Sequence, residues 1–371
     1  MKIVIFGLSF SSSWGNGHAT LWRALCGALV RRGHRIVFFE RDVPYYSEHR
    51  DTTELPGGEL VLYESWRDTL PAAQRHLADA DVGIVTSYCA DGIAASELVL
   101  NSSCSLKTFY DLDTPVTLAR LEAGESVDYI DPRMGLRGFD LVLSYTGGRA
   151  LEQLQTRLGA RRVAPLYGSV DPATHKPTAV SDAYRCDLSY LGTYSADRQN
   201  ELEELFIEPA RRLPEATFRM GGAQYPDQFP WTANIFFVRH VPPEQHSSFY
   251  CSSRLTLNVT RRAMASMGYC PSGRLFEAAA CGVPIVSDFW EGLNEFYESG
   301  AEILVCRTAD DVEEAMRRPD EELARVGRAA REKTLRMHTA DHRAAQLESI
   351  FDSAYRPIVS SVSEIAQTGV S

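Results

Sequence analysis

The chain has 371 residues, 44% of them hydrophobic and 23% charged, with a formal net charge of −11 at pH 7. That length exceeds what one core usually fills, so two domains are expected, with the composition of a soluble globular protein and not of a disordered or fibrous one. The acidic balance argues against a general nucleic-acid binder, which needs clustered Lys and Arg, yet leaves room for a phosphorylated ligand held by a few local cations.

The N-terminal run Met1-Lys2-Ile3-Val4-Ile5-Phe6-Gly7 has one charge and no small-residue cleavage site, so it reads as a β-strand and not as a leader. No apolar run reaches the roughly 18 residues of a spanning helix. The eight cysteines (Cys26, Cys89, Cys104, Cys186, Cys251, Cys270, Cys281 and Cys306) are scattered without a Cys-x-x-Cys pair. They predict neither a zinc site nor a disulfide framework, but buried thiols in a reducing cytoplasm.

Short apolar runs alternate with helical segments along the whole chain, the pattern of doubly wound α/β domains with parallel sheets. In the first half, strands are expected at 2–7, 35–39, 82–86, 106–110 and 141–145, with a helix over 19–32 that stops at Gly33. The loop after the first strand carries Gly7, Gly15, Asn16, Gly17 and His18. A nicotinamide fingerprint would need Gly-x-Gly-x-x-Gly directly after the strand and an acid near the next strand end. Glu40 supplies the acid, but the loop is too long and the third glycine is missing. Asp111 and Asp113 follow the 106–110 strand, where a carboxylate could orient or deprotonate a hydroxyl; both also suit an ordinary turn. A Pro- and Gly-bearing stretch over 165–177 is the candidate linker.

The second half repeats the pattern, with strands expected at 187–192, 217–220, 235–238, 255–259, 283–287 and 303–305. Helices are expected over 197–213, punctuated by Pro209, and over 309–317, 321–335 and 338–355. The tail from 360 is polar and small. Ligands in open α/β sheets bind beyond the carboxyl ends of strands, so the residues there matter most. After the first of these strands come Gly192 and Thr193, where backbone can approach a pyrophosphate, and Arg198, which can reach its oxygens. The alternative is a plain turn with a surface Arg. Asn258 and Arg261 follow the fourth strand, as a second cationic arm or a solvated pair with Arg262. In Pro271-Ser272-Gly273-Arg274-Leu275-Phe276-Glu277-Ala278-Ala279-Ala280-Cys281-Gly282-Val283-Pro284-Ile285-Val286-Ser287, Ser272 and Gly273 start a helix whose free N–H groups suit an anion. Arg274 adds charge there. Glu277 lies one turn further on, where a carboxylate can accept two ribose hydroxyls. An ordinary helix start with a solvated Arg-Glu pair would look the same.

This segment resembles the Glu-Ala-x-Ala-x-Gly-x-Pro-x-(Ile/Val) element of retaining GT-B glycosyltransferases, and its Arg-x-Phe-Glu-Ala version resembles their CgeB-like (spore-maturation type) branch. The resemblance implies two Rossmann-like domains facing a cleft: an acceptor-side domain at 1–170, a nucleotide-sugar domain at 171–338, and a final stretch at 339–371 whose helix returns to the first domain. It implies a sugar moved from a nucleoside-diphosphate donor, UDP or GDP, to an acceptor that is a saccharide, small molecule or protein, without a cofactor or metal ion. Gly15, Asn16 and Gly17 would touch the donor, with His18 near the reaction centre. Gly192, Thr193 and Arg198 would steady the leaving diphosphate, and main chain at His240 and Val241 would pair with the base. The catalytic candidates are Arg198, His18 and Asp111. Many relatives carry a further Glu eight residues before the ribose Glu; here Tyr269 stands there, so donor-sugar contacts do not transfer. A nucleotide-sugar epimerase of the same architecture, a nicotinamide-dependent oxidoreductase and a non-catalytic nucleotide-sugar binder remain as alternatives; oligomeric state is not readable.

Overall fold

A computed structural model describes residues 1–14 and 17–355 of the chain. Gly15, Asn16 and the tail from 360 lie outside the described residues. Among those described, thirteen strands form two wholly parallel sheets. The first has the order β3-β2-β1-β4-β5-β6-β7. Its strands are β1 (Lys2–Gly7), β2 (Arg35–Arg41), β3 (Glu59–Tyr63), β4 (Val82–Thr86), β5 (Leu106–Asp111), β6 (Leu141–Ser144) and β7 (Val163–Pro165). The second has the order β10-β9-β8-β11-β12-β13. It comprises β8 (Cys186–Leu191), β9 (Phe218–Gly221), β10 (Ile235–Val238), β11 (Ser253–Asn258), β12 (Ile285–Ser287) and β13 (Leu304–Val305). Each sheet therefore winds outward from its first strand in both directions, which puts a topological switch point between β1 and β4 and another between β8 and β11.

Burial on both faces explains the strand sequences. Ile3 and Ile5 join one apolar layer with Trp22 and Phe38, while Val4 and Phe6 join the opposite layer with Phe39 and Val85. The helix His18–Arg31 buries Ala19, Trp22, Leu25, Cys26 and Leu29, a stripe at helical spacing. It is followed by Gly33 at φ +87°, a left-handed stop that a side chain would resist.

Two strands escaped the sequence pattern. β3 alternates poorly and β7 is three residues ending in Pro165, and both are sheet edges, where burial on two faces is not required. The expected 197–213 helix is a composite: a 3₁₀ turn Ala196–Arg198, α-helix Gln199–Leu202, a π-helical stretch Glu203–Ile207 and α-helix Glu208–Arg212. Pro209 lacks an N–H, so the turn before it loses a hydrogen bond and widens.

The chain passes from sheet to sheet in the segment after β7 and returns near residue 338. The two passages pair: the Val170 N–H donates to the His338 carbonyl (3.1 Å) and the Ala340 N–H to the Val170 carbonyl (2.8 Å). The helix Ala340–Ala354 then lies on the first domain, with Leu347 and Phe351 buried and Glu348 bonded to Arg32 (2.8 Å) and His34 (2.7 Å). Buried Arg343 donates to the Gly168 carbonyl at 3.0 Å. Among the described residues no helix is long and apolar enough to cross a membrane.

Candidate functional site

The two switch points face each other across a cavity of about 500 Å³, a usual size for a small-molecule site. Its floor is the second domain. β8 runs into Gly192, where a β-carbon would overlap the Arg274 guanidinium and the Tyr190 hydroxyl; one at Gly222 would overlap the Gly192 carbonyl. Glycine is needed at both positions because two loops and an arginine pass this closely.

Arg198, Arg261 and Arg274 converge around this floor, all lining the cavity. Arg198 donates from Nη1 to the Thr193 carbonyl (3.0 Å), while its Nε is buried with no hydrogen-bond partner among the described residues. Burial holds its pKa below the ordinary value, against the pull of Tyr190. Arg261 ties the halves of the cleft together: Nε donates to Asp197 (3.1 Å), and Nη1 lies 3.8 Å from Asp113 of the first domain. Arg274 differs from expectation. Its guanidinium turns inward and donates to the Tyr190 hydroxyl (3.0 Å), the Leu191 carbonyl (2.9 Å) and the Val259 carbonyl (2.9 Å). It acts as a strut that adds charge from beneath. Burial works against ionising the Tyr190 phenol, but Arg274 and Arg198 outweigh it and hold the group below its usual pKa.

Ser272 caps the helix Gly273–Cys281, its hydroxyl accepting from the Arg274 N–H at 3.2 Å. The start of this helix opens on the cavity, with Glu277 on the same wall. The Glu277 Oε2 stands 3.8 Å from His246 Nδ1. His246 Nε2 in turn donates to the Val241 carbonyl at 3.0 Å, so that main-chain oxygen already has a partner. His240 lines the cavity beside Trp14, the ring centres 4.5 Å apart.

From the first domain Gly17, His18 and Asp113 reach the cavity, with His18 Nε2 4.0 Å from Asp113. Burial lowers the His18 pKa, and Asp113 partly restores it. Gly15 and Asn16 lie outside the described residues. Two candidates do not line the cavity. Asp111 is the last residue of β5 and fully buried, accepting from the Asp113 N–H and Thr117 hydroxyl (both 3.1 Å); burial pushes its pKa up to about 6. The reach into the cleft belongs to Asp113, two residues on, where the chain has left the sheet. Asn258, the last residue of β11, is likewise buried and donates to the Ser287 hydroxyl at 3.0 Å. Glu40 answers the nicotinamide alternative: its buried carboxylate accepts from the Phe10 and Ser11 N–H groups (2.6 and 2.8 Å) and the Ser11 hydroxyl (2.7 Å). It organises the loop and presents nothing to a ribose.

Tyr190, Asp197 and His246 have no counterpart in the sequence reading. Tyr190 looks like a core strand residue, and only the two arginines around its hydroxyl mark it. Tyr269 sits at φ +49°, its ring packed against Gly148 and Gly292 and its carbonyl accepting from the Gly147 N–H of the first domain at 2.9 Å. It is an interdomain contact.

This architecture is the GT-B fold, two Rossmann-like domains across a cleft. Sucrose-phosphate synthase from Thermosynechococcus elongatus superimposes with a TM-score of 0.71 at 13% identity, over 95% of this chain and 99% of that one. HepE from Anabaena, in complex with UDP and glucose, gives 0.65 at 13% identity over 95% and 100%. An alpha-glucosyltransferase in complex with UDP-glucose and DNA containing an abasic site gives 0.68 at 13% identity over 96% and 100%. Residues 198–349, less than half of the chain, match the family model described as glycosyl transferase-like. Among curated proteins there is no match to the chain.

Proposed function

We propose that the chain is a glycosyltransferase of the CgeB-like branch that moves a hexosyl group from a nucleoside-diphosphate donor, UDP- or GDP-linked, to an acceptor held mainly by the first domain. The observation that carries this reading is Arg198, whose buried Nε has no hydrogen-bond partner among the described residues, at the floor of the cleft beside Arg261 and the start of the Gly273–Cys281 helix. A diphosphate satisfies all three. The glycosyl-transferase-like match and the UDP complexes of the structural neighbours support the same choice.

In this reading Glu277 accepts the ribose hydroxyls and the sugar points toward His18 and Asp113. The bond between the anomeric carbon and the diphosphate oxygen breaks, and its electron pair leaves on the phosphate. The acceptor oxygen attacks from the same face, giving retention, and its proton passes to the departing phosphate. Charge growing on that oxygen meets preorganised guanidinium groups, so the diphosphate needs no metal ion. The scattered thiols make a cytoplasmic location part of the proposal.

A thermal-shift series with UDP, GDP and ADP tests it. A matching nucleotide at 100 times its dissociation constant should stabilise the fold by about 2.7 kcal/mol. If none of them stabilises the protein, the assignment of the cleft fails.

A further inference from the structure

Below the Glu277 side of the cleft three residues from separate segments meet. His175 comes from the stretch joining the two sheets, His246 starts the helix His246–Cys251, and Glu277 lies on the helix Gly273–Cys281. One ligand atom of each lies within 4.8 Å of the others. The joining stretch is pinned in place, because the Ser247 hydroxyl donates to the Thr174 carbonyl (2.9 Å) and accepts from the Lys176 N–H (3.3 Å).

The donors and acceptors do not match without a further group. His246 gives its Nε2 proton to the Val241 carbonyl, which leaves the Nδ1 lone pair facing the Glu277 carboxylate, acceptor to acceptor, at 3.8 Å. His175 is 5% exposed, and neither of its ring nitrogens has a hydrogen-bond partner among the described residues. Buried polar atoms are rarely left in this state. A backbone carbonyl that fixes the tautomer of a histidine is also the usual outer partner of a metal-bound imidazole.

We propose that His175, His246 and Glu277 bind a divalent transition-metal ion of the zinc class. Bonds of about 2.0–2.2 Å to one tetrahedral ion set donor atoms roughly 3.4 Å apart, so small side-chain movements close the site. Two imidazoles and one carboxylate favour zinc, cobalt or nickel over magnesium and calcium, which prefer all-oxygen shells. Three protein ligands leave a fourth position open, beside the cavity that His246 and Glu277 line. The site stands on its own geometry. Its consequence rests on the functional reading above: an ion that holds Glu277 takes it from the ribose, so metal and nucleotide oppose each other.

The test titrates chelator-treated full-length protein with Zn²⁺ in equilibrium dialysis and with Co²⁺ by visible absorption, without nucleotide. The expected result is one ion per chain, undisturbed by millimolar Mg²⁺, and weakened by at least about tenfold in His175→Ala. Glu277→Gln, which keeps the side-chain shape, serves as a second variant if His175→Ala melts early without metal; it too should bind at least about tenfold more weakly. Substoichiometric binding, or wild-type affinity in a variant that melts like wild type, overturns the site. A final arm measures UDP affinity with and without Zn²⁺ at the occupancy found. Lower UDP affinity supports the shared use of Glu277. Unchanged affinity with metal bound leaves the metal site standing and removes Glu277 from the ribose.

Discussion

The two domains share one winding over six strands around their first strand, β7 being extra in the first, and differ in what the loops at their switch points do. In each, the fifth strand of the winding ends at a buried aspartate, Asp111 at the end of β5 and Asp288 just after β12, and burial pushes both up to about 6. Each ties down a nearby backbone N–H, Asp111 that of Asp113 and Asp288 that of Thr260, both at 3.1 Å. The loops after the first strands diverge. In the first domain Glu40 pins Phe10 and Ser11 at the start of the loop after β1, whose end reaches the cavity at Gly17 and His18, whereas the loop after β8 delivers Arg198. A shared winding thus supplies the same rim twice, and the loops decide which side chains each rim presents to the cavity.

The twin aspartates give the largest expected effect. Both keep a proton to higher pH in the folded than in the unfolded chain, so their contribution is fully present below about pH 4 and is lost as pH rises through about 6. Asp111→Asn and Asp288→Asn should each flatten the pH dependence of stability in that window, by up to about 3 kcal/mol for a two-unit shift. Urea unfolding at pH 4.5 and pH 7 measures it. If only one variant flattens the curve, the equivalence of the two rims is false.

Arg198→Ala sharpens the contrast between the loops. Its kcat should fall by roughly 100-fold or more, with a smaller change in donor affinity, the pattern for a charge that acts on the leaving group. Steady-state kinetics with an unchanged kcat would place Arg198 outside the reaction.

Glu277→Ala should act on binding alone. A contact made equally in ground and transition states raises donor KM while kcat holds, and the free nucleoside diphosphate should weaken by about 1.5–3 kcal/mol. Calorimetry with ribo- and 2′,3′-dideoxy nucleotides decides: a mutant that discriminates between them as strongly as wild type removes Glu277 from the ribose.

The smallest effect is expected from chelation. EDTA should not lower transfer or donor hydrolysis, because in the proposed mechanism guanidinium groups serve the diphosphate. Complete loss that Mg²⁺ or Mn²⁺ restores would transfer the anion-binding role from the second domain's arginines to a metal.

Central strands were legible because burial on both faces demands unbroken apolar runs, as in β1 and β4; the edges β3 and β7 carry no such demand. Arg198, Arg261 and Glu277 were legible from their places after strands or at a helix start. Choosing Asp113 over Asp111 was not, since a single residue of strand length decides which carboxylate leaves the sheet. Arg274 reads as a charge facing the anion until Gly192 is seen to leave room for it beneath the loop. His175 lies in a stretch without periodicity, and only the fold brings it to His246.

The paired crossing at Val170 and His338 to Ala340 determines how such a cleft can work. One covalent passage between two bodies is a ball joint, free to swivel and twist. Two passages hydrogen-bonded side by side act as a pin, which keeps opening and closing and suppresses the other rotations. A closure about this pin would return Arg261 to the same Asp113, so the register of one domain against the other is held by the connection between them.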